Sequence, residues 1–221
     1  MTYVVRVWDA PTRLFHWSLA VCVVALLVTA QIGGSAMEWH FRLGYAVLVL
    51  LMFRVIWGLI GGHWSRFRNF LYSPIQVLRY LQDKDDASHW VGHNPTGALS
   101  VFALLSFLSL QVATGLFSDD EISATGPLAR FVSSEWVTNA TYYHKEIGKL
   151  ALIILVTAHV CAVLVYFWKW RENLVRPMIT GDKHLDTPNI NSSDKLADRR
   201  KAAATLFVCI AIVWGILRWV E

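Results

Sequence analysis

Four histidines have the positions that metal chemistry inside a membrane would need. They are His16, His40, His144 and His159, and each lies on or at the end of a long apolar segment. Imidazole is the usual axial ligand of a b-type haem iron, and two imidazoles on one iron leave no open position for oxygen. Such a site passes electrons and does not activate a substrate, so we expect no catalytic residues in it.

The depth of each histidine in the membrane predicts two pairs. His144 and His159 are fifteen residues apart on one predicted helix, which is about 22 Å at the rise of an α-helix. His40, at the start of the second predicted helix, matches the level of His144. His16, near the start of the first, matches the level of His159. We therefore expect two haems, one bound by His40 and His144 and the other by His16 and His159.

The other histidines suit a haem less well. His63 lies 23 residues after His40 on the same helix, about 34 Å away in depth, so it is expected at the membrane surface. His89 and His93 precede the third apolar segment, and His184 lies in a polar one.

Spacing alone leaves other uses of the four favoured imidazoles open. A single histidine in a membrane helix usually packs and hydrogen-bonds, and a group of them could also form a di-metal site or a proton relay. Ionisable groups inside a membrane are costly and tend to be functional. Four of them at two matched depths therefore favour haem binding.

Each haem also carries two propionates, which need cations or hydrogen-bond donors when they are partly buried. Arg54 and Arg13 are the candidates near the inner haem level. The candidates at the outer level are Arg42, Lys145 and Lys149. Long basic side chains also extend along apolar surface to reach water, which is the alternative for each of them.

Five apolar stretches must position these side chains. The chain has 221 residues and is 55% apolar, whereas a globular domain is about 45–50% apolar. Crossing the hydrocarbon core takes roughly 20 apolar residues per helix. The stretches are residues 14–32, 41–60, 97–117, 147–168 and 202–220. The chain start has neither the basic region nor the cleavage site of a signal peptide. We predict an all-α integral membrane helical bundle, with a four-helix diheme core and a fifth, C-terminal transmembrane helix.

The same pattern predicts the domain organisation. Residues 1–183 are expected to form the diheme cytochrome b domain, with a cytoplasmic loop at 64–94. Residues 184–201 are expected to be a polar cytoplasmic linker, and residues 202–221 the C-terminal transmembrane helix.

The connections between the spans have their own signals. Residues 73–83 have a proline near the start and apolar residues at helical spacing, which predicts a short interfacial helix. Residues 118–143 are expected to form an external loop, with 126–132 on the membrane surface. Residues 171–200 are rich in Asp, Asn, Lys and Ser, which favours a solvated tail that is only partly ordered.

Lysine and arginine predict the orientation, because most of them fall in the connections on one side. The positive-inside rule then puts the N-terminus in the cytoplasm and, after five spans, the C-terminus outside. The formal net charge of +4 is therefore a signal of topology, and nucleic acid is a poor candidate partner. The three cysteines, Cys22, Cys161 and Cys209, lie within spans and outside any C-x-x-C-H motif, which excludes covalent haem attachment.

The chain resembles the bacterial cytochrome b561 family, which includes the cytochrome b subunits of nickel–iron hydrogenases. The resemblance runs from about residue 6 to residue 183. The segments that carry it are VWDAPTRLFHW, WHFRLGYAVLVLLMFRVIWGLIG, GHNPTGALSV, TGLF, HKEIGKLALIILVTAHV and ENLVRPMITG. It implies that His16, His40, His144 and His159 bind two b haems non-covalently, and that Arg54 matches an arginine of the relatives.

The spacing of the helix-four histidines departs from the family pattern. The two are fifteen residues apart here, whereas we associate one residue fewer with the family. A π-bulge, which inserts one residue into an α-helix, would absorb the difference.

The resemblance also implies a function in electron transport. The chain would transfer electrons across the inner membrane between the quinone pool and a periplasmic redox partner, either a c-type cytochrome or a hydrogenase-like subunit. External acidic residues could dock a basic partner electrostatically, although a solvated loop has the same composition. These residues are Asp119, Asp120 and Glu121.

Two other functions stay open. The chain could be an enzyme, a quinone-linked oxidase of a small periplasmic oxidant such as superoxide, with Arg42, Lys145 and Lys149 forming a cationic funnel. It could also be a membrane anchor whose histidines only pack.

Overall fold

A computed structural model describes residues 2–82, 90–120 and 124–220. Two short strands are β1, Tyr3–Arg6, and β2, Asp182–Leu185. The helices are α1 Ala10–Ile32, α2 Ala36–Ile60, α3 Pro74–Gln82, α4 Pro95–Leu116, α5 Ser134–Tyr142, α6 Lys149–Lys169, α7 Val175–Thr180 and α8 Leu196–Val220. A π-helical segment, Tyr143–Gly148, connects α5 to α6.

Five helical segments within the described ranges are long and apolar enough to cross a membrane. Four of them are α1, α2, α4 and α8. The fifth, Ser134–Lys169, runs from α5 through the π-helical segment to the end of α6. The predicted all-α membrane fold with five spans is therefore confirmed.

The fourth span begins earlier than its hydropathy predicts. Residues 134–143 are helical, so the expected external loop is wrong over this part. Ser133 caps the new start, because its hydroxyl accepts a hydrogen bond from the backbone N–H of Trp136 at 3.3 Å. Capping is a local polar signal that an apolar window does not detect.

The chain divides into two compact units. The first unit comprises Met1–Phe15, Arg54–Ala103 and Val156–Thr205. In it β1 pairs with β2 in an antiparallel sheet, with Tyr3 opposite Leu185. Its buried core includes Val5, Val7, Trp8 and Val91.

Asp9 organises the start of α1 in this unit. Its Oδ1 accepts a hydrogen bond from the backbone N–H of Thr12 at 2.8 Å, as a helix N-cap does. Its Oδ2 accepts from the backbone N–H of Gly62 and from the Ser65 hydroxyl, each at 2.9 Å. The indole N–H of Trp57 lies 3.2 Å from both oxygens. This buried carboxylate therefore connects the start of α1 to the end of α2.

The polar segment before α8 is mostly exposed, as expected of a solvated tail, but it contains α7 and β2 and has specific contacts, so the expectation that it is only partly ordered is wrong. The Ser192 side chain is buried, and its hydroxyl donates a hydrogen bond to the Val7 carbonyl at 2.7 Å. The Asp194 carboxylate forms ion pairs with Arg6 at 2.9 Å and Arg199 at 3.0 Å. The contacts with Arg6 and Val7 join segments that are remote in sequence, and composition contains no information about them.

A helix is present as α3 where the sequence predicts one, and its place at a membrane interface stays a prediction. The backbone N–H of Ser73 donates to Gln76 Oε1 at 2.7 Å, and Gln76 donates back to the Ser73 hydroxyl at 3.4 Å. This reciprocal pair is a capping box. Ile75 and Leu78 are exposed, which suits a helix on a membrane surface.

The second unit comprises His16–Phe53, Leu104–Leu155 and Leu206–Glu221. Gly33 and Gly34 reverse the chain between α1 and α2 with φ of 64° and 53°, a left-handed conformation that glycine adopts without strain. Its core takes side chains from α1, α2, α4 and α6: Val23, Val47, Leu51, Leu108 and Leu152. One core built by these four helices agrees with the predicted four-helix arrangement.

Candidate functional site

His40 and His144 face each other in the second unit. Their ring centroids are 6.2 Å apart and the ring planes are at 86°. An imidazole nitrogen binds a first-row metal such as zinc at about 2 Å and lies about 1 Å from its ring centroid, so two imidazoles on opposite sides of one metal have centroids about 6 Å apart. The observed separation therefore fits axial coordination of one metal ion by both rings.

Hydrogen bonds hold both rings through Nδ1. His40 Nδ1 lies 3.1 Å from the carbonyl oxygen of Leu26, and His144 Nδ1 lies 2.9 Å from that of Gln111. A carbonyl oxygen only accepts, so each Nδ1 carries the proton and each Nε2 keeps its lone pair. Metal-binding histidines are usually oriented by such a bond from the second ring nitrogen. Both Nε2 atoms therefore have the protonation state of an axial ligand.

The π-helical segment contains His144. It covers Tyr143–Gly148 and so begins one residue before His144. A π-bulge adds one residue to an α-helix, and the resemblance to the family left one residue to be absorbed on this span. The structure therefore has a π-helical turn at the place where such a bulge could absorb it.

Two glycines leave room beside this pair. A Cβ on Gly115 would lie 2.8 Å from Cε1 of His144, closer than real Cβ atoms approach other atoms. A Cβ on Gly44, one turn after His40, would meet no atom of the described residues within 4 Å. A porphyrin is wide and flat and needs surface without side chains next to its axial ligands. The surroundings of the pair therefore fit a haem.

The ligand set also fits a haem better than a di-metal site. Across residues 2–82, 90–120 and 124–220, no group of three or more His, Cys, Asp or Glu side chains converges to hold a metal ion. A histidine pair supplies two ligands, and a porphyrin supplies the remaining four to its iron. The two histidines therefore complete the ligand set of a haem iron, but they are too few for a metal ion that is bound by protein side chains alone.

The other predicted pair is divided between the units. His16 belongs to the second unit, where its ring packs edge-on to that of Trp17 with centroids 5.2 Å apart. His159 belongs to the first unit and lies on α6, half-buried. The pairing of His16 with His159 stays a prediction from the sequence.

Arg54 lies buried in the first unit with only 3% of its surface exposed. Its guanidinium carbon lies 4.6 Å from the ring centroid of Phe67 and 6.0 Å from that of Phe15. The charged group that interacts with it electrostatically is the Asp9 carboxylate. Arg54 Nη1 has no hydrogen-bond partner among the described residues. A buried N–H without an acceptor is costly, and a haem propionate is an acceptor of the right charge.

The other two predicted arginines already have carboxylates near them. Arg13 donates to the Ile179 carbonyl and lies 3.9 Å from Asp194, although its buried Nε has no partner among the described residues. Arg42 is exposed and forms an ion pair with Glu38 one turn before it. Arg13, unlike Arg42, therefore has a buried N–H, at Nε, that could donate to a propionate.

The remaining described histidines lie outside the spans. His63 begins a short 3-10 helix after α2, and burial lowers its pKa. The ring of His93 packs between those of Trp8 and Phe70, and His184 is exposed on β2. His89 lies outside the described residues.

The acidic connection contributes to a cavity of about 250 Å³ in the second unit. Asp119 lines it together with Lys145 and Glu146, so its charge is mixed rather than cationic. Asp120 accepts a hydrogen bond from the backbone N–H of Ala124 at 2.8 Å. Glu121 lies outside the described residues.

Three residues of this arrangement were missed by the sequence reasoning. Gln111 orients His144, Gly115 gives its ring room, and Asp9 carries the charge beside Arg54. Gly115 and Asp9 lie within TGLF and VWDAPTRLFHW, two of the segments that carry the family resemblance. Their position in these segments could have indicated that they belong to the site. Gln111 lies in no such segment.

Known proteins place the chain in a family. The relatives include probable Ni/Fe-hydrogenase B-type cytochrome subunits. That of Bradyrhizobium diazoefficiens is 24% identical over 215 residues, which cover 81% of this chain and 85% of the relative. That of Azotobacter vinelandii is 28% identical and covers 80% of this chain and 87% of the relative. The probable Ni/Fe-hydrogenase 1 B-type cytochrome subunit of Escherichia coli K12 is 24% identical over 151 residues, which cover 57% of this chain and 64% of the relative.

No solved structure is significantly similar to the chain. The family model described as prokaryotic cytochrome b561 matches residues 7–181, which include all four predicted ligands, the π-helical segment and Arg54. The chain is a multi-pass membrane protein that belongs to the prokaryotic cytochrome b561 family.

Proposed function

We propose that the chain is a diheme b-type cytochrome that transfers electrons across a membrane. The observation that carries the proposal is the geometry of His40 and His144, whose ring separation of 6.2 Å fits one iron between them. Their Nδ1–H groups donate to backbone carbonyls, so each Nε2 atom keeps the lone pair with which it could bind the iron.

The second haem is assigned to His16 and His159. Its support is the matched depth of the two histidines and the buried, unpartnered Nη1 of Arg54 in the described residues. Arg54 lies fourteen residues after His40 on α2, about 21 Å along the helix axis. Arg54 would therefore bind a propionate at the second level, with Arg13 as an additional donor.

A bound b-type haem supplies an iron that gains or loses one electron at a time. The histidines would hold the haem iron, and with both remaining positions taken by imidazole the haem would supply electron transfer and no binding of exogenous ligands. Levels about 20 Å apart on the fourth span make the two sites a path from one face of the membrane to the other.

The electrons are proposed to pass between the quinone pool and a redox partner on the periplasmic side. The relatives are named as hydrogenase cytochrome subunits, which supports a hydrogenase-like partner. A c-type cytochrome is the other candidate, because it also exchanges electrons with a haem. The positive-inside rule supports an N-terminus in the cytoplasm, and the proposed membrane is the bacterial inner membrane.

The haem content of the purified protein tests this function. A pyridine haemochrome assay should give two b haems per chain, and His40→Ala and His144→Ala should each reduce the value to one. His184→Ala, which changes an exposed histidine on β2, should leave two. Less than one haem per chain in the unaltered protein would refute the proposal.

A further inference from the structure

The side chain of Gln111 connects α4 to the π-helical segment. Its Nε2 donates a hydrogen bond to the backbone carbonyl of His144 at 2.9 Å. The backbone carbonyl of Gln111 accepts from His144 Nδ1, also at 2.9 Å. One residue of α4 therefore binds His144 at two points, its main chain and its ring.

The helix is irregular at the place where Gln111 meets it. A π-helix pairs a carbonyl with the N–H group five residues on, whereas an α-helix pairs it with the one four residues on. Irregular turns arise where a side chain inserts into the hydrogen-bond ladder of a helix. A carbonyl has two lone pairs, so the His144 carbonyl can accept from Gln111 and still pair within its own helix. The Gln111 amide is in the position of such an inserted group.

Gly148 leaves the space that this amide occupies. The glycine is buried at the end of the π-helical segment. A Cβ on it would overlap Gln111 Oε1 and would lie 2.8 Å from Cε1 of Tyr143, closer than real Cβ atoms approach other atoms. Tyr143 and Gly148 are five residues apart, which is the pairing distance of a π-helix. The arrangement therefore needs a residue without a side chain at position 148.

The amide is buried at a cost. Gln111 Oε1 has no hydrogen-bond partner among the described residues, and an unpaired buried acceptor is unfavourable. Turning the amide over would bring Oε1 towards the His144 carbonyl, where two acceptors repel, so Nε2 must face His144. An apolar side chain of the same length would avoid this cost and lose the bond to His144. That bond is therefore what a glutamine provides at this position.

The packed core gives Gln111 a rigid base. Leu108, one turn before Gln111 on α4, and Leu152, one turn after Gly148 on α6, both belong to the buried core of the second unit. Close packing of this kind resists displacement. The core therefore fixes α4 against α6, and Gln111 holds the turn that precedes α6 against the same α4.

We propose that Gln111 is a positioning residue for the axial ligand His144, because its amide, in the space left by Gly148, holds the π-helical turn and so sets the direction of the imidazole ring. The inference rests on the proposed function, since the ring is positioned for a haem iron. Without the amide the turn can relax towards a regular α-helix. Relaxation would turn the His144 ring away from the angle of 86° that it makes with the ring of His40.

Electron paramagnetic resonance of the oxidised, haem-loaded protein measures this direction. The largest g value of a ferric haem with two imidazole ligands depends on the angle between the imidazole planes. Gln111→Met keeps the length of the side chain and removes the donor. We expect two haems per chain, with the low-spin signal of one shifted and that of the other unchanged. Gln31→Met, at an exposed position on α1, is the matched control and should shift neither signal.

Hydrogen exchange followed by mass spectrometry tests the turn itself, and it can be measured with or without haem. In Gln111→Met the backbone N–H groups of residues 143–149 should exchange about threefold faster or more, because their turn opens more often. Residues 156–166, in the regular part of α6, are the internal reference and should keep their rates.

A second pair of variants tests the role of Gly148. Gly148→Ala should displace the Gln111 amide and shift the same low-spin signal. Gly215→Ala, where a Cβ would meet no described atom within 4 Å, should not shift it. Residues in contact have non-additive effects. In the Gln111→Ala background, Gly148→Ala should therefore add much less than it does alone, because the group that it displaces is absent.

An unshifted low-spin signal in Gln111→Met would overturn the inference, and so would unchanged exchange at residues 143–149. Additive effects of Gln111→Ala and Gly148→Ala would also contradict it. Each of these results in a protein that binds two haems contradicts the inference alone, whereas an unaltered protein without haem contradicts the proposed function.

Discussion

Gly115 on α4 lies directly against the ring of His144. A Cβ added to Gly115 would lie 2.8 Å from His144 Cε1 and 3.2 Å from Nδ1. The same Nδ1 donates to the carbonyl of Gln111, one turn before Gly115. The α4 backbone therefore orients the histidine through Gln111 and makes room for it through Gly115.

Gly115→Ala is expected to displace the His144 ring and reduce haem content from two to about one per chain. The added methyl group forces the ring away from α4 and lengthens the bond to Gln111. Gly215→Ala is the matched control, because a Cβ there meets no described atom within 4 Å. The pyridine haemochrome assay measures both variants. Full haem content with an unchanged low-spin signal in Gly115→Ala would contradict the assigned role.

Deleting one residue from the π-helical segment should be tolerated, and deleting one from the α-helix after it should not. Without Ile147 the segment can relax to a regular α-helix, and the relation of His144 to His159 is kept. Without Ile154, also exposed, one histidine rotates by about 100° relative to the other. We expect two haems after the first deletion and no more than one after the second. Equal losses would show that the π-helix is not what aligns the two ligands.

Arg54→Met is expected to lower the midpoint potential of one haem, on the order of tens of millivolts, because a nearby cation stabilises the reduced iron. The other haem should titrate unchanged. Arg42→Met is the control, since Arg42 is exposed and paired with Glu38. A spectroscopic redox titration resolves the two haems. If neither midpoint potential shifts in Arg54→Met, Arg54 does not bind a propionate.

Asp194 should make the first unit sensitive to acid. Burial acts to raise the pKa of this carboxyl, but hydrogen bonds from Arg199 and the backbone N–H of Ala10 outweigh it and lower the pKa overall. A group with a lowered folded pKa stabilises the protein above its unfolded pKa of about 4, and loses that contribution as the pH falls through the folded value.

Asp194→Asn is therefore expected to cost about 1 kcal/mol of stability at pH 7 and close to nothing well below pH 4. Thermal unfolding in detergent at both pH values measures this difference. Asp186→Asn, at an exposed position, should have little effect at either pH. An equal loss at both pH values would mean that the ionised carboxylate is not the stabilising form.

The five spans could be predicted from the sequence, because hydropathy is a sum over neighbouring residues. Helical spacing supplied four candidate ligands, and the resemblance to the family indicated one extra residue between His144 and His159. The structure has a π-helical segment that begins at Tyr143 on this span. Two local predictions failed. Hydropathy missed the first turns of the fourth span, which the Ser133 cap begins, and polar composition predicted too little order in residues 171–200.

Other features were decided by the tertiary structure alone. The Leu26 and Gln111 carbonyls that orient His40 and His144 are backbone atoms. Because every residue has such a carbonyl, the residue type does not show which one orients a histidine. The pairing of β1 with β2 joins strands that are more than 170 residues apart in sequence, and the hydrogen bond between the Tyr80 and Tyr166 hydroxyls joins two further segments. The sequence alone determined that the chain has five segments able to cross a membrane, because hydropathy depends on local order. Which atoms orient His40 and His144 depends on contacts between distant segments, and these exist only after the helices have packed.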